Sequence, residues 1–139
     1  MKIQTLSIIA GGAACNARCP FCISQMTGKD ILVEPINVLN FDKACRLAQI
    51  SDVTNVIITG KGEPTLYPDQ ITDYLKHLQK YYFPIVELQT NAIVFSLEKE
   101  KYSPYLKQWH EMGLTFIAVS IVHYDPEKNR ANYIPYEKN

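Results

Sequence analysis

Three thiols, Cys15, Cys19 and Cys22, fall within the eight residues Cys15-Asn16-Ala17-Arg18-Cys19-Pro20-Phe21-Cys22, spaced C-x3-C-x2-C. A compact loop of this kind can aim three sulfurs at one centre, and thiolates are soft ligands suited to zinc or an iron–sulfur cluster. Three ligands leave the fourth open. A structural zinc site would need another protein ligand. Cys45, His77, His110 and His123 are all far away in sequence, and there is no second C-x2-C pair. A core of inert thiols is a third reading, but three in so short a stretch beside Gly11-Gly12 is unusual packing. A second candidate stretch is Gly60-Lys61-Gly62-Glu63-Pro64. It is no nucleotide P-loop, which needs a longer glycine loop and Ser or Thr after the Lys. A plain turn would explain its glycines but not its glutamate.

The elements that must position these groups follow from apolar periodicity. Residues 3–10 read as a strand that delivers the cysteine loop at its C-terminal end. Residues 23–40 read as a loop, with an extended piece at 31–33. Asn40 is an expected N-cap for a helix through Gln49, on which Phe41, Ala44, Cys45 and Ala48 share a face. Residues 53–59 form a second, fully buried strand that runs directly into Gly60. Asp69 then caps a helix with the stripe Ile71, Tyr74, Leu75 and Leu78. Residues 85–90 form a third strand ending at Asn91. Ser103-Pro104 start a helix that Gly113 stops, with Leu106, Trp109 and Met112 on one face. Residues 115–122 form a fourth strand, followed by a mostly polar tail. Four alternations of strand and helix predict an α/β fold with a parallel sheet, and every candidate motif stands just after a strand, where ligands bind in such folds.

Composition adds exclusions. With 139 residues, 47% of them apolar, one domain with a real core is expected. Lys+Arg and Asp+Glu are both 14, so net charge attracts neither nucleic acid nor an anionic membrane. No apolar run reaches membrane-spanning length. Gly12-Ala13-Ala14-Cys15 faintly imitates a lipoprotein cleavage site, but only Lys2 precedes it as a cation, and Gln4, Thr5 and Ser7 interrupt the apolar run. A cytoplasmic chain with reduced thiols is the expectation.

In motif, spacing and order the chain resembles the radical S-adenosylmethionine (SAM) superfamily over residues 3 to about 127. The tetrapeptide Cys19-Pro20-Phe21-Cys22 also resembles the glutaredoxin active site, with Phe83-Pro84 standing for its later proline, but that reading leaves Cys15 and the Gly60–Pro64 stretch unexplained. The radical SAM resemblance implies that Cys15, Cys19 and Cys22 hold three irons of a [4Fe-4S] cluster while SAM chelates the fourth. It implies Phe21 against the adenine, and a Gly-x-Gly-Glu-Pro segment in which Gly60 and Gly62 permit close approach, Pro64 closes the motif and Glu63 pairs with the methionyl ammonium. Lys61 departs from the all-glycine form and is read as solvated. Many relatives have Thr-Asn-Gly at the end of the third strand; here it is Thr90-Asn91-Ala92, and Asn91 is either a cofactor contact or a turn residue. Residues 119–127 look like the strand and turn of cofactor-building members, which would aim Ser120 at the ribose or carboxylate of SAM. A strand hydroxyl satisfied by backbone is the equal alternative. His123 is read as structural or solvated, and Cys45 as core packing.

The implied reaction is reductive cleavage of SAM to methionine and a 5′-deoxyadenosyl radical that abstracts hydrogen from an unidentified substrate. An external electron donor such as flavodoxin or ferredoxin is implied with it. The family core is a partial TIM barrel of six strand–helix units, of which only about four are legible, so residues 1–139 are expected to be a core domain incomplete at its C-terminus. A radical enzyme and a catalytically incomplete cluster- and SAM-binding half module both stand. The fourth strand is expected to leave an open edge, with Phe116 and Val119 exposed, prone to self-association.

Overall fold

The computed structural model describes residues 3–27 and 32–133. Strands β1 (Thr5–Ile9), β2 (Asn55–Thr59), β3 (Ile85–Thr90) and β4 (Phe116–Val119) form one sheet in the order β1-β2-β3-β4, with every neighbouring pair parallel. Helices α1 (Val38–Ile50) and α2 (Pro68–Leu78) follow β1 and β2. Helices α3 (Ile93–Leu97) and α4 (Lys99–Glu111) join β3 to β4, and α5 (Pro126–Tyr133) comes last. This is the expected α/β architecture: four parallel strands in an open sheet, consistent with part of a barrel.

Register divides the sheet into two faces. Ile8 pairs with Ile58 and Ile58 with Leu88, while Val56 pairs with Val86. These residues point one way and form the core with Cys45, Ala48, Ile71, Leu75, Leu78 and Trp109 from the helices. The row Ser7, Ile57, Glu87 and Phe116 points the other way, and none of the four is buried. Period-two alternation is thus clear in β2 and β3. It fails in β4, where Phe116 and Val119 stay 58% and 47% exposed, as expected of an edge with nothing beyond it among the described residues.

Several boundaries differ from the sequence expectation, each for a local reason. α1 starts three residues early, because the side chain of Asn37, not Asn40, is the cap and accepts from the Asn40 amide (3.1 Å). Asp69 does not cap α2; Pro68 occupies the first turn, and Asp69 accepts from the Tyr105 hydroxyl (2.8 Å). Ser103-Pro104 does not start a helix either. α4 begins at Lys99 and carries Pro104 inside, where the ring removes one helical donor. The mostly polar tail, for which no element was assigned, contains α5, and β4 is shorter than 115–122. In the long loop, Ile23–Met26 form a 3-10 turn, Leu32 and Val33 are irregular, and Ile31 lies outside the described residues.

Helix α4 anchors the core with an aromatic column. The rings of Tyr102, Tyr105 and Trp109 follow one another, tilted, at centroid spacings of 6.0 and 5.6 Å, and Trp109 donates its indole N–H to Thr72 (2.8 Å). Tyr102 donates to the carbonyl of Thr65 (2.8 Å), which ties this column to the turn after Glu63.

Candidate cluster and cofactor site

Beyond the C-terminal ends of β1 and β2 the two chain segments stay paired. Ala10 N donates to Thr59 O (2.7 Å), Gly62 N to Gly12 O (3.1 Å) and Glu63 N to Ala14 O (2.9 Å). The two motifs singled out by sequence are therefore stitched together through their backbones. Gly62 makes this possible, since a Cβ there would stand 2.0 Å from the Ala14 carbonyl oxygen. The close approach that its missing side chain allows is to the cysteine loop itself.

Within that loop, Cys22 N donates to Cys19 O (3.1 Å), and Gln25 bonds the same carbonyl through its side chain (2.7 Å). The Ser24 hydroxyl donates to the Lys61 carbonyl. Cys15, Cys19 and Cys22 are free, half-exposed thiols that share a cavity of about 620 Å³ with Arg18, Lys61 and Gly62. Burial pushes the Cys15 thiol up; Glu63, Cys19 and Cys22 add to this, and the Ala17 amide opposes it. Burial and the neighbouring Cys22 likewise raise Cys19. The thiols thus feel one another's fields. Among the described residues no group of three or more His, Cys, Asp or Glu side chains is arranged as a metal-ion site. The three soft thiolates suit zinc or an iron–sulfur cluster, and they line one cavity.

Glu63 forms the second half of the site. It is 4% exposed, and its carboxylate collects four donors. Oε1 accepts from Thr65 N (3.0 Å), Thr65 Oγ1 (2.6 Å) and Thr90 Oγ1 (2.6 Å), and Oε2 accepts from Asn91 N (2.9 Å). Such donors offset the cost of burying a carboxylate.

Asn91 joins the halves. Its backbone holds Glu63, while its side chain donates to Asn16 Oδ1 in the cysteine loop (2.8 Å) and lies 3.8 Å from the Cys15 sulfur. Its Oδ1 accepts from Ile93 N (3.0 Å), so it is also the turn residue. Ala92 follows at φ 58, keeping the left-handed turn that glycine would make freely.

A second cavity of about 240 Å³ is lined by the three cysteines, Phe21, Gly60, Gly62, Glu63, Pro64, Asn91 and Ser120. Every residue assigned to the site from sequence therefore lines one space. Six further lining residues were not assigned to the site from sequence: Ala17, Ser24, Thr59, Gln89, Thr90 and Tyr133. Thr90 is legible in hindsight only through its place beside Asn91; Tyr133 carried no sequence signal. Lys61 also lines the space. His123 does not. Its Nδ1 accepts from Asp125 N (2.9 Å) and its ring stacks on Tyr124 at 4.6 Å, a structural role. Cys45 is fully buried in the core, and burial with nearby Asp42 pushes it up to about 11.

No helix among the described residues is long and apolar enough to cross a membrane. A search of curated proteins found no match. The family model described as Radical SAM superfamily matches residues 9–138, which include the cysteine loop, the Glu63 network and the strand ends that carry them, and the chain belongs to that superfamily, whose members use a [4Fe-4S] cluster and SAM.

Proposed function

We propose that the chain is a radical SAM enzyme in which Cys15, Cys19 and Cys22 ligate the cluster and the Gly60–Pro64 stretch, Asn91, Ser120 and Phe21 hold SAM. The observation that carries this reading is the shared cavity, which three thiols line together with Glu63 and with Thr90 and Asn91 of its network. When bound, cluster and SAM supply one-electron cleavage of the sulfonium and a radical able to abstract hydrogen from substrate. The chain's own residues do the rest. The thiols give up their protons to become ligands, and the Glu63 carboxylate receives an ammonium. Asn91 fixes the distance between the two halves, and Phe21, 57% exposed, offers a ring face to an aromatic base. The electron comes from an external flavodoxin- or ferredoxin-type donor, and the setting is the reducing cytoplasm.

A second reading is a cluster- and SAM-binding half module without turnover. It is favoured by β4, whose exposed Phe116, Ile117 and Val119 shield nothing. We read residues 1–139 as a core domain with four of the family's six strand–helix units, and the β4 edge as a surface for self-association. Anaerobic reconstitution followed by EPR with and without SAM tests cofactor binding: a four-iron signal that changes on adding SAM is expected. Formation of 5′-deoxyadenosine under reducing conditions then separates enzyme from half module, and sedimentation tests the edge.

A further inference from the structure

Helix α5 has no packing reason to dock. It is polar around its circumference, and Tyr133 is its only buried residue. Nevertheless it is firmly built. Asp125 Oδ1 caps it by accepting from Glu127 N and Lys128 N (both 3.0 Å), and Asn129 Oδ1 accepts from Val122 N (2.9 Å) and His123 N (3.2 Å), which ties its first turn to the chain leaving β4. What this helix delivers is Tyr133. The ring is 8% exposed and lines the cavity that holds the three cysteines. Its hydroxyl donates to Ser120 O (2.6 Å) at the end of β4, and its backbone carbonyl accepts from Arg18 N (2.9 Å), between Cys15 and Cys19.

We propose that Tyr133 is a positioning residue that pins the cysteine loop: α5 is a strap from the end of β4 to the middle of the ligand loop, and the hydroxyl bond to Ser120 fixes where the Arg18 amide is held. The opposite side of that loop is held by β2, through Gly62 and Glu63, so the strap supplies the support that the sheet lacks on this side. The proposal rests on the proposed cluster site for its function, but its structural core concerns the metal-free chain.

The test begins in iron-free protein, where hydrogen exchange at the Arg18 amide reads the strap directly. In Tyr133→Phe the ring still fills its place but the anchor to Ser120 is gone, and exchange should quicken about five- to tenfold, the size of one lost hydrogen bond. Asn129→Ala loosens α5 without touching the cavity and should shift exchange in the same direction. In reconstituted protein, iron loss to a chelator should accelerate with Tyr133→Phe, while Leu114→Val, a core change of comparable effect on Tm, should leave both Arg18 exchange and iron loss at wild-type rates. Unchanged Arg18 exchange in both strap variants overturns the proposal, as does equal acceleration by Leu114→Val. Failure of the cluster reading shows differently, as wild-type protein that takes up no iron while Arg18 exchange still responds to Tyr133→Phe.

Discussion

The two halves of the site sit at the same end of the sheet but are built in opposite ways. Around Glu63, a buried carboxylate satisfies four donors drawn from the turn after β2 and the end of β3, and the Tyr102 hydroxyl locks that turn from behind. Around the cysteines, three half-exposed thiols ride on a loop fastened at its ends and at Arg18, with their sulfurs facing open space. One half is complete without a ligand. The other presents three thiols along a cavity wall, without a comparable network of donors around them. Substitutions in the first half should therefore disturb the fold as well as SAM, whereas those in the second should disturb the metal alone.

The largest effect follows from the second half. Alanine at Cys15, Cys19 or Cys22 should abolish the four-iron cluster while leaving Tm of the metal-free chain nearly unchanged, because little packing is lost. Cys45→Ala should do the reverse, keeping iron and lowering stability, since this thiol is wholly buried. Iron content, EPR and thermal melts of the four variants check this. Stoichiometric tetrahedral zinc with Cys45 as a ligand would break the comparison.

Acid–base behaviour should separate the halves next. Burial raises Cys15 and Cys19 above the usual thiol range, and the neighbouring thiols add to it. In the metal-free chain both are therefore protonated near neutral pH, and loading must expel those protons. Each thiol costs affinity by up to about tenfold per pH unit below its pKa, so iron uptake in a fixed reconstitution should rise between about pH 7 and 9. Uptake that is flat across this window would mean that the thiols are already ionised, against the burial seen here.

Glu63→Gln strikes the complete half. The amide places an NH2 among donors that all need an acceptor, so one bond becomes a clash of donors, and the charge that would meet an ammonium disappears. A loss of about 1.5–3 kcal/mol is expected both in SAM binding and, through the buried network, in folding stability. Iron content should hold. Unchanged SAM affinity together with lower stability would reduce Glu63 to a latch between β2 and β3.

These contrasts also mark what sequence could reveal. The cysteine spacing, the Gly60–Pro64 stretch and Asn91 were legible because their chemistry is local and each follows a strand. The β2 and β3 segments were legible because burial on one face leaves alternation in the sequence. What Glu63 does in the folded chain was not, because Thr65 and Thr90 are ordinary residues until the fold brings Thr90 to Glu63 across 27 positions. α5 was hidden for the opposite reason: with no apolar stripe, it leaves no period to read, and its single buried residue declares itself only against the loop it holds. The start of α1 differs from the expectation because several residues nearby can cap, and that of α4 because Pro104 sits inside the helix instead of in its first turn. Asn37 wins over Asn40 through a side-chain bond that the sequence does not rank.

The smallest effect sharpens the comparison most narrowly. Ala92 stands at φ 58 and ψ 9, a left-handed conformation that costs a non-glycine residue roughly 1–2 kcal/mol. The position is held there because the Ala92 amide donates to Thr90 Oγ1 (2.9 Å), while that hydroxyl donates to Glu63. The strain thus belongs to the Glu63 half and is sustained by its network. Ala92→Gly removes the steric penalty but adds backbone freedom to the unfolded chain, so the net gain should be about 0.5–1 kcal/mol. It should appear as a higher denaturant midpoint at unchanged m value. Iron uptake should not move, because the Asn91 side chain that links this turn to the cysteine loop is left in place by the substitution. A lower midpoint would show that Ala92 is held by contacts of its methyl group instead. A change in iron uptake would show that the two halves are coupled through the turn more tightly than their hydrogen bonds imply.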